Sequence, residues 1–419
     1  MKIAIIGGGI SGLTAGFRLH ESHEVSLFEA NNYIGGHTNT IDVPTPNGAV
    51  AVDTGFIVFN DRTYPNFIAM IESLGVAYQP TRMSFSVSCE RTGLEYAGTN
   101  FNGLFAQRRN LFRPWFYRLL LDFGKFKKLA ESLLEKDAPA ETVESFLTRH
   151  QFSSQFIEQY FLPMGAAIWS SSFDSFRQFP IQFIAEFYKN HGLLGIRDRP
   201  QWYVIEGGSK QYIEPLTRAW SDRIQLATPI RRVTRFDDHV IVDTVDGRRE
   251  TFDHVIFACH SDQALKILGD DASLLERQVL SAFPYQPNQA ILHTDTKLLP
   301  KTKRAWACWN YFNPAGESDA ATLTYNMNML QSLDTSQVYC VTLNDNGNID
   351  PAKIIGEFQY SHPTFGIDRN AMQQRHAELI GHRSTSFCGA YWGNGFHEDG
   401  VKSAIAVTEL IQELSGAKV

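Results

Sequence analysis

Short apolar runs that end at glycine or at a charged residue mark the predicted strands of this chain. Residues 2–6, KIAII, are followed at once by three glycines, and residues 24–29, EVSLFE, form a second run. Such runs are typical of strands buried on both faces of a parallel sheet. Residues 254–258, HVIFA, predict a third strand, and Asp246-Gly247 between two extended segments predicts a hairpin. The pattern therefore indicates an α/β fold with a small meander before the chain returns to its sheet.

A glycine motif separates the first predicted strand from a predicted helix. Gly7, Gly9 and Gly12 form GxGxxG, which allows a tight turn, close approach of a pyrophosphate and close packing of helix on strand. The helix amino terminus presents free backbone N–H groups that suit two phosphates without any lysine. Glu29 ends the second predicted strand, where a carboxylate can accept hydrogen bonds from both hydroxyls of an adenosine ribose. These features together predict a dinucleotide site.

Further glycine segments extend this pattern to both ends of the chain. Gly35-Gly36 makes a second turn, and residues 52–56, VDTGF, and 206–209, EGGS, follow later. With these segments the chain resembles the glutathione-reductase-type FAD proteins of the amine oxidase, protoporphyrinogen oxidase and phytoene desaturase group. Residues 386–389, SFCG, and 398–400, EDG, match the last strand and the last helix start of that group. The resemblance implies FAD as cofactor and an α/β fold: a glutathione-reductase-type FAD-binding Rossmann-like domain with an inserted α+β substrate domain.

The resemblance also implies which residues bind the cofactor. They belong to the phosphate turn, the ribose carboxylate, the second glycine turn and the later returning segments: Gly7, Gly9, Ile10, Ser11, Gly12, Glu29, Ala30, Gly35, Gly36, His37, Thr38, Gly55, Phe56, Ile57, Ile230, Ala258, Gly389, Glu398, Asp399, Gly400 and Val401. His37 stands where this group commonly has an arginine, so the charge contact to the pyrophosphate is expected to be weaker or absent. Ile230 is expected to begin the strand beside the adenine.

The domain organisation follows from the separation of these segments along the chain. We predict a discontinuous FAD-binding domain from residues 1–80, 205–262 and 383–419, and a substrate domain from 81–204 and 263–382. A length of 419 residues with 43% hydrophobic content is enough for two domains with a large core.

Charge, cysteines and hydropathy limit the class of protein. A net charge of -7 gives no overall attraction to nucleic acid. The five cysteines lack CxxC or metal-ligand spacing and the histidines lack paired spacing, which predicts reduced thiols and no metal. No apolar run approaches bilayer length, and the first strand begins at Lys2, so neither a membrane span nor a signal peptide is expected. The sequence predicts a cytoplasmic protein that is soluble or peripheral at the inner face of a membrane.

Residues 101–128 combine basic and aromatic side chains. Seven basic residues stand against one acid, Asp122. After Pro114, apolar residues recur at helical spacing: Trp115, Phe116, Leu119, Leu120, Phe123 and Phe126. Such a helix suits an anionic bilayer surface, but it is equally typical of an amphipathic helix packed on its domain with a solvated basic face. Single-stranded nucleic acid is disfavoured by the acidic net charge and the flavin-type fold.

Substrate-pocket candidates come from comparison with amine oxidases, which usually carry a lysine near the flavin. The matching stretch here, residues 287–292, has amides, so Gln289 becomes a pocket candidate and amine oxidation loses support. Tyr391 and Trp392 are further candidates, although buried aromatic residues are usually core.

No catalytic acid or base is assigned from the sequence. His397, Glu398 and Asp399 could act near the flavin, but a carboxylate at a helix start is more often a cap. The single dinucleotide fingerprint favours molecular oxygen or a quinone as electron acceptor over NADPH held in a second module.

The function favoured by the sequence is oxidation of a hydrophobic substrate. Thirty phenylalanines and the basic aromatic segment suit an extended apolar pocket fed from a membrane. The chain also resembles bacterial predicted NAD/FAD-binding proteins that look like companions of cyclopropane-fatty-acid-synthase-type methyltransferases. We therefore expect an FAD-dependent oxidase or desaturase for a lipid acyl chain, unsaturated or methyl-branched. The alternatives are a flavin-dependent double-bond isomerase, an amine oxidase and a non-catalytic flavin-binding partner protein.

Overall fold

The structure, a computed structural model, describes residues 1–46, 48–134, 141–169, 171–195, 199–314 and 322–416. Its strands are β1 (Lys2–Ile6), β2 (Glu24–Phe28), β3 (Thr40–Thr45), β4 (Gly48–Asp53), β5 (Phe59–Asn60), β6 (Tyr78–Thr81), β7 (Phe85–Cys89), β8 (Leu94–Ala97), β9 (Trp202–Ile205), β10 (Ile224–Gln225), β11 (Ile230–Arg235), β12 (Val240–Thr244), β13 (Arg249–Phe252), β14 (His254–Phe257), β15 (Tyr285–His293), β16 (Trp309–Asn313), β17 (Thr322–Asn326), β18 (Cys340–Leu343), β19 (Ile354–Pro363) and β20 (Thr385–Phe387).

The α-helices of the described residues are α1 (Ile10–Leu19), α2 (Pro65–Ser73), α3 (Phe101–Leu104), α4 (Pro114–Ser132), α5 (Val143–Arg149), α6 (Ser154–Phe156), α7 (Leu162–Trp169), α8 (Phe173–Arg177), α9 (Ile181–Asn190), α10 (Ile213–Thr217), α11 (Ser261–Leu268), α12 (Leu274–Leu280), α13 (Met327–Leu330), α14 (Arg369–Gln373), α15 (His376–Leu379) and α16 (His397–Ser415). Residues 417–419 of the last predicted cofactor segment lie outside the described residues.

A five-stranded parallel sheet forms the frame of the molecule, in the order β10-β2-β1-β14-β20. Its strands come from the segments 1–80, 205–262 and 383–419. Both faces of β1 and β14 are buried, which explains why these strands read as continuous apolar runs. Helices α1 and α16 pack together on the sheet and form much of its core. The α/β class expected from the sequence is confirmed.

The predicted hairpin lies in an antiparallel meander, β11-β12-β13. Gly247, in the turn between β12 and β13, has φ +93, a conformation that favours glycine. The meander then leads directly into β14 of the parallel sheet.

A seven-stranded sheet forms the second layer, in the order β19-β15-β18-β17-β16-β7-β8. Helices α4 to α9 lie beside it and enclose a buried cluster that we call the aromatic layer. It contains Phe126, Phe146, Phe152, Phe156, Phe161, Trp169, Phe176, Phe179, Phe183, Phe187 and Tyr188. All five cysteines are free, and four of them are buried.

The basic segment, residues 101–128, differs in part from its sequence prediction. The predicted apolar face of α4 packs into the protein core, since Phe116, Leu119 and Phe126 are at most 2% exposed. The domain-packing alternative is therefore correct for that face. A different set of apolar side chains in the same segment faces solvent: Phe101, Phe112, Tyr117 and Leu121.

Candidate cofactor and active site

The predicted cofactor residues gather where the parallel strands end. β1 leads into Gly7, β14 into Ala258 and β20 into Cys388-Gly389, so these turns share one edge of the sheet. Gly7, Gly9 and Ala258 are partly exposed, although the strands before them are buried. Crevices at the carboxyl ends of parallel strands are where ligands bind in such folds.

The physical reason for a glycine differs among the three positions of the GxGxxG motif. Gly7 has φ +112, and a Cβ on Gly12 would collide with the carbonyl oxygen of Gly7. These two glycines are required by the protein itself. Gly9 has φ -77 and ψ -178, which any residue adopts, and a Cβ there would meet nothing within 4 Å. Gly9 therefore borders open space directly before α1.

Helix α1 begins without an internal cap. Gly9 is its N-cap residue, and no side chain bonds the first turn. The first turn of a helix leaves N–H groups that need partners. Ile10 and Ser11 begin this turn beside the open space at Gly9, so the arrangement fits a pyrophosphate.

Glu29 lies beside the same turn and is 7% exposed. Its Oε2 accepts from the backbone N–H of Gly8 at 2.7 Å, and its Oε1 accepts from that of Asn31 at 2.8 Å. A carboxylate offers about four lone-pair sites, so two remain for ribose hydroxyls. The neighbouring Ala30 is exposed, and Ile230 begins β11, the first strand of the meander.

The second glycine turn touches the first. Gly35 donates to the carbonyl of Gly8 at 2.9 Å, and a Cβ on Gly36 would lie 3.2 Å from the Cα of Gly9. Thr38 is buried and its hydroxyl bonds the Tyr212 hydroxyl. The two turns thus form one continuous wall of the crevice.

Gly55 and Phe56 lie behind the second glycine turn and complete this wall of the crevice. A Cβ on Gly55 would collide with the carbonyl oxygen of His37, so only glycine fits there. The Phe56 ring stacks on the His397 imidazole at 3.5 Å between centroids, and Ile57 is buried beside it. His397 Nε2 lies 3.0 Å from the Thr38 hydroxyl, and burial lowers the pKa of His397 well below its ordinary value.

The two carboxylates at the start of α16 have partners within the protein. Glu398 accepts from the backbone N–H of Phe67 at 2.9 Å and that of Asn66 at 3.2 Å, which caps α2. Asp399 accepts from the backbone N–H groups of Asn394 and Phe396, and burial raises its pKa to about 6. Asp399 thus caps α16 itself, as the capping alternative expects, and Glu398 caps the neighbouring helix α2.

The remaining residues of α16 predicted to bind the cofactor bring two helix starts together. A Cβ on Gly400 would lie 2.8 Å from both Ile10 Cγ2 and Ser11 Oγ, so glycine lets α16 approach α1 closely. Val401 is buried, and the N–H of Gly389 donates to Ser403 Oγ at 2.9 Å.

Of the three substrate-pocket candidates, Tyr391 and Trp392 pack against each other, whereas Gln289 belongs to strand β15 of the other sheet. Tyr391 is 1% exposed and packs with Trp392 and Phe283 in the core of the parallel sheet. Gln289 donates to the exposed Glu357 at 2.9 Å. Because side chains alternate along a strand, Asn288 and Gln289 point to opposite faces of the sheet. Asn288 is buried, and Gln289 is partly exposed.

A histidine cluster faces the second glycine turn, and sequence reasoning missed it as a group. We define it as His37, His260, which follows β14, and His362 on β19. The His37 ring centroid lies 5.1 Å from that of His362 and 6.4 Å from that of His260. Tyr360 of β19 stacks on His37 at 4.9 Å. The only sequence signal was His37 itself, in place of an arginine.

Asp53 is fully buried and links segments beside the crevice by hydrogen bonds. Its Oδ1 accepts from the N–H and hydroxyl of Ser209 at 2.9 and 2.8 Å, and its Oδ2 accepts from Gln331 Nε2 at 2.9 Å. Burial raises the pKa of Asp53 to about 6 against these hydrogen bonds. The carboxylate joins segments that are far apart along the chain.

Comparison with known proteins gives a consistent result. The model of a family described as flavin containing amine oxidoreductase matches residues 10–347. Cyclohexylamine oxidase from Brevibacterium oxydans has a TM-score of 0.70 at 17% identity, covering 98% of this chain and 99% of that one. A CLA-producing fatty acid isomerase from P. acnes has a TM-score of 0.66 at 16% identity, covering 98% of each chain. At these identities the likeness concerns the fold alone.

Curated relatives match over a short stretch only. A 4,4'-diapophytoene desaturase of Staphylococcus aureus (strain Newman) is 50% identical over 42 residues, which is 10% of this chain and 8% of that protein. The chain therefore covers a small part of this relative's length. Among the described residues, no helix is long and apolar enough to cross a membrane, and no group of acidic, histidine and cysteine side chains could hold a metal ion.

Proposed function

Because this chain belongs to the flavin-containing amine oxidoreductase family and is an FAD enzyme, we propose that it oxidises a hydrophobic substrate. The substrate class we propose is a lipid acyl chain, unsaturated or methyl-branched, and the reaction is that of an oxidase or desaturase. Molecular oxygen or a quinone is the proposed electron acceptor.

The crevice offers the groups that FAD needs. The N–H groups at the start of α1 suit the pyrophosphate, Glu29 suits the adenosine ribose, and Gly9 leaves the space that a phosphate requires. When bound, the flavin supplies the hydride-accepting chemistry of oxidation. The protein's own contribution is to hold the cofactor, choose the substrate and exclude water.

The observation that carries the proposed substrate class is the aromatic layer. It reaches the start of α16 through Phe187, whose ring lies 5.4 Å from that of Phe396. Phe396 directly precedes His397, which stacks on Phe56 in the wall of the crevice. An apolar and aromatic core that reaches the edge of the crevice suits a hydrocarbon rather than a charged substrate there.

Neither carboxylate at the start of α16 is free to act as a simple base. Glu398 caps α2, and Asp399 is bonded by two backbone N–H groups. Oxidation of a hydrocarbon by hydride transfer therefore depends here on how the protein positions the acyl chain. The catalytic acid or base stays unassigned.

Two alternatives have particular support. The fatty acid isomerase of P. acnes shares the fold, so redox-neutral double-bond isomerisation of an acyl chain is the second candidate. Cyclohexylamine oxidase also shares the fold, but residues 287–292 of β15, the stretch that best matches the lysine region of amine oxidases, carry amides and no lysine.

Anaerobic mixing with acyl lipids distinguishes these reactions. We expect the flavin absorbance to bleach when an unsaturated or methyl-branched acyl lipid is added, and to recover on admission of air or a quinone. The product should be lighter by two hydrogens. Cyclohexylamine and NADPH, added separately as controls, should leave the flavin oxidised over the same time. An isomerase would instead give product of unchanged mass without oxygen, and rapid bleaching by NADPH would contradict the proposed acceptor.

Reversible attachment to an anionic membrane is the second part of the proposal. The exposed apolar side chains of the basic segment, Phe101, Phe112, Tyr117 and Leu121, lie among seven basic residues. Phe112 is 86% and Leu121 71% exposed, so neither contributes much to the core. Basic residues near an anionic leaflet contribute about 1 kcal/mol each, and inserted aromatic side chains add to this.

Replacing Phe112 and Leu121 by serine should weaken co-sedimentation with acidic vesicles several-fold at low salt, because burial in the headgroup region is lost. Added salt should weaken the wild type as well, since the attraction is screened. Leu274→Ser, at an 88% exposed leucine outside the segment, is the matched control and should bind like the wild type. Equal binding by the double variant and the wild type would show that the segment is an ordinary solvated surface.

A further inference from the structure

Strand β19 forms one open edge of the seven-stranded sheet. It pairs with β15 on one side, and in the part of the chain that the structure describes no strand pairs with its other side. The opposite edge of the sheet, β8, is covered, since the N–H of Glu95 donates to Gln107 Oε1 at 3.1 Å. A free strand edge is a template for pairing with a further strand.

The backbone groups at the open edge follow from the pairing of β19 with β15. The carbonyl of Gln289 in β15 accepts from the N–H of Asn344 at 2.9 Å, on the side away from β19. Its partner Gln359 therefore directs its own N–H and C=O away from β15, as the members of a non-hydrogen-bonded pair do. Alternation along the strand gives the same direction to three more residues: Ile355, Glu357 and Ser361. Among the described residues, no backbone hydrogen bond outside the ladder with β15 reaches these four.

This edge lacks the features that usually prevent strand pairing. The register with β15 runs without a bulge from Gly356 to Pro363, and residues 355–361 contain no proline or lysine. Their only charged side chain is Glu357, which is exposed, and Ile355 is 39% exposed. The edge is thus open to a second strand.

We propose that β19 pairs antiparallel with β19 of a second copy of this chain, about a two-fold axis at Phe358. The outward-facing segment, residues 355–361, is centred on Phe358, so this axis lets its whole length pair with itself. Glu357 then lies opposite Gln359 of the other copy, and Ile355 lies opposite Ser361. Each such pair exchanges two backbone hydrogen bonds, which gives about eight across the interface.

The side chains of β19 suit this register and not its neighbours. The Gln359 amide can donate to the Glu357 carboxylate of the other copy, and Gly356 leaves room opposite the bulky Tyr360. An axis at Glu357 would set two carboxylates against each other. An axis at Gln359 would use the outward position of Pro363, which has no N–H. This self-complementarity favours a second copy over an unrelated strand.

The proposed interface adjoins the wall of the crevice. Tyr360 of β19 stacks on His37 at 4.9 Å and bonds the Thr54 hydroxyl at 2.9 Å. Pairing would therefore steady the strand that positions Tyr360. The inference concerns the sheet edge alone and holds for any substrate.

Sedimentation velocity of the FAD-loaded protein tests whether the dimer forms. We expect a monomer–dimer equilibrium in the micromolar range, because one strand pair buries less than the area of about 1,600 Å² that is typical of stable interfaces. Hydrogen exchange within residues 354–363 should slow as the protein concentration rises, whereas exchange in β8 should not change. This second measurement locates the contact in the wild-type protein.

Two substitutions of the exposed Gln359 should shift this equilibrium in opposite directions. Gln359→Lys sets an ammonium group against Glu357 on both sides of the axis, so the dimer should tighten several-fold, and added salt should remove the gain. Gln359→Glu sets carboxylate against carboxylate twice and should weaken the dimer several-fold. Gln337→Lys and Gln337→Glu, at an exposed glutamine outside β19, change the net charge equally and should dimerise like the wild type.

The proposal is overturned by a protein that stays monomeric up to about 100 μM, where a micromolar dimer would be largely formed. Equal dissociation constants for the two Gln359 variants would overturn it as well, as would hydrogen exchange in β19 that does not respond to concentration. The flavin content of each variant reports its folding. None of these measurements uses turnover, so their outcome is separate from that of the lipid experiments.

Discussion

Gly9→Val is expected to fold normally and to lose nearly all of its FAD. The backbone at Gly9 is extended, and a Cβ added there meets no protein atom within 4 Å. The fold therefore tolerates valine, whereas the valine methyl groups would fill the space in front of α1 where the pyrophosphate approaches. A loss of FAD affinity beyond about tenfold, or about 1.4 kcal/mol, is expected. The ratio of flavin absorbance to protein absorbance after purification measures it.

Gly124→Val is the matched control, because Gly124 in α4 also leaves its Cβ in open space and is exposed. That variant should retain wild-type FAD content. Circular dichroism of Gly9→Val should match that of the wild-type apoprotein. A folded Gly9→Val protein with full flavin content would place the cofactor somewhere other than this crevice.

Arg235→Met is expected to give the largest loss of stability. The Arg235 side chain is fully buried in β11, with Nη1 2.5 Å from Glu276 Oε1 and Nε 3.0 Å from Asp271 Oδ2. Although burial alone would raise it, hydrogen bonds from Arg235 and Ser273 keep the pKa of Glu276 below its ordinary value. Methionine would leave the buried Glu276 carboxylate without its partner. Breaking such a pair costs about 3–5 kcal/mol, which thermal unfolding of the FAD-loaded protein should show as a clear fall in Tm.

Arg218→Met provides the comparison at the surface. Arg218 also pairs with a glutamate, Glu214, at 2.7 Å, but both side chains are mostly exposed. Its replacement should change Tm little, because exposed pairs are screened by water and salt. Adding Glu276→Leu to Arg235→Met should restore part of the lost stability, since no unpaired charge is then buried. Equal Tm values for the Arg235 and Arg218 variants would mean that the buried pair does not stabilise the fold.

Features that depend on a few neighbouring residues were predictable from the sequence. The apolar runs became β1, β2 and β14, the glycine motif lies between β1 and α1, and Asp246-Gly247 forms its hairpin. Strand burial, turn conformation and helix starts are set by local side-chain pattern and by backbone freedom. The dinucleotide-binding fold could therefore be inferred before any contact was known, and the family resemblance implied that the dinucleotide is FAD.

Contacts between distant segments were decided by the tertiary structure alone. Glu398 caps α2 from more than three hundred residues away, and the histidine cluster combines positions 37, 260 and 362. Which face of α4 is buried depended on the aromatic layer beside it, so Phe116 and Leu119 went inside and Leu121 stayed outside. Local pattern specifies that a residue is apolar or polar, but its partner is fixed by strand order and packing, because those bring remote side chains within a few ångströms of each other.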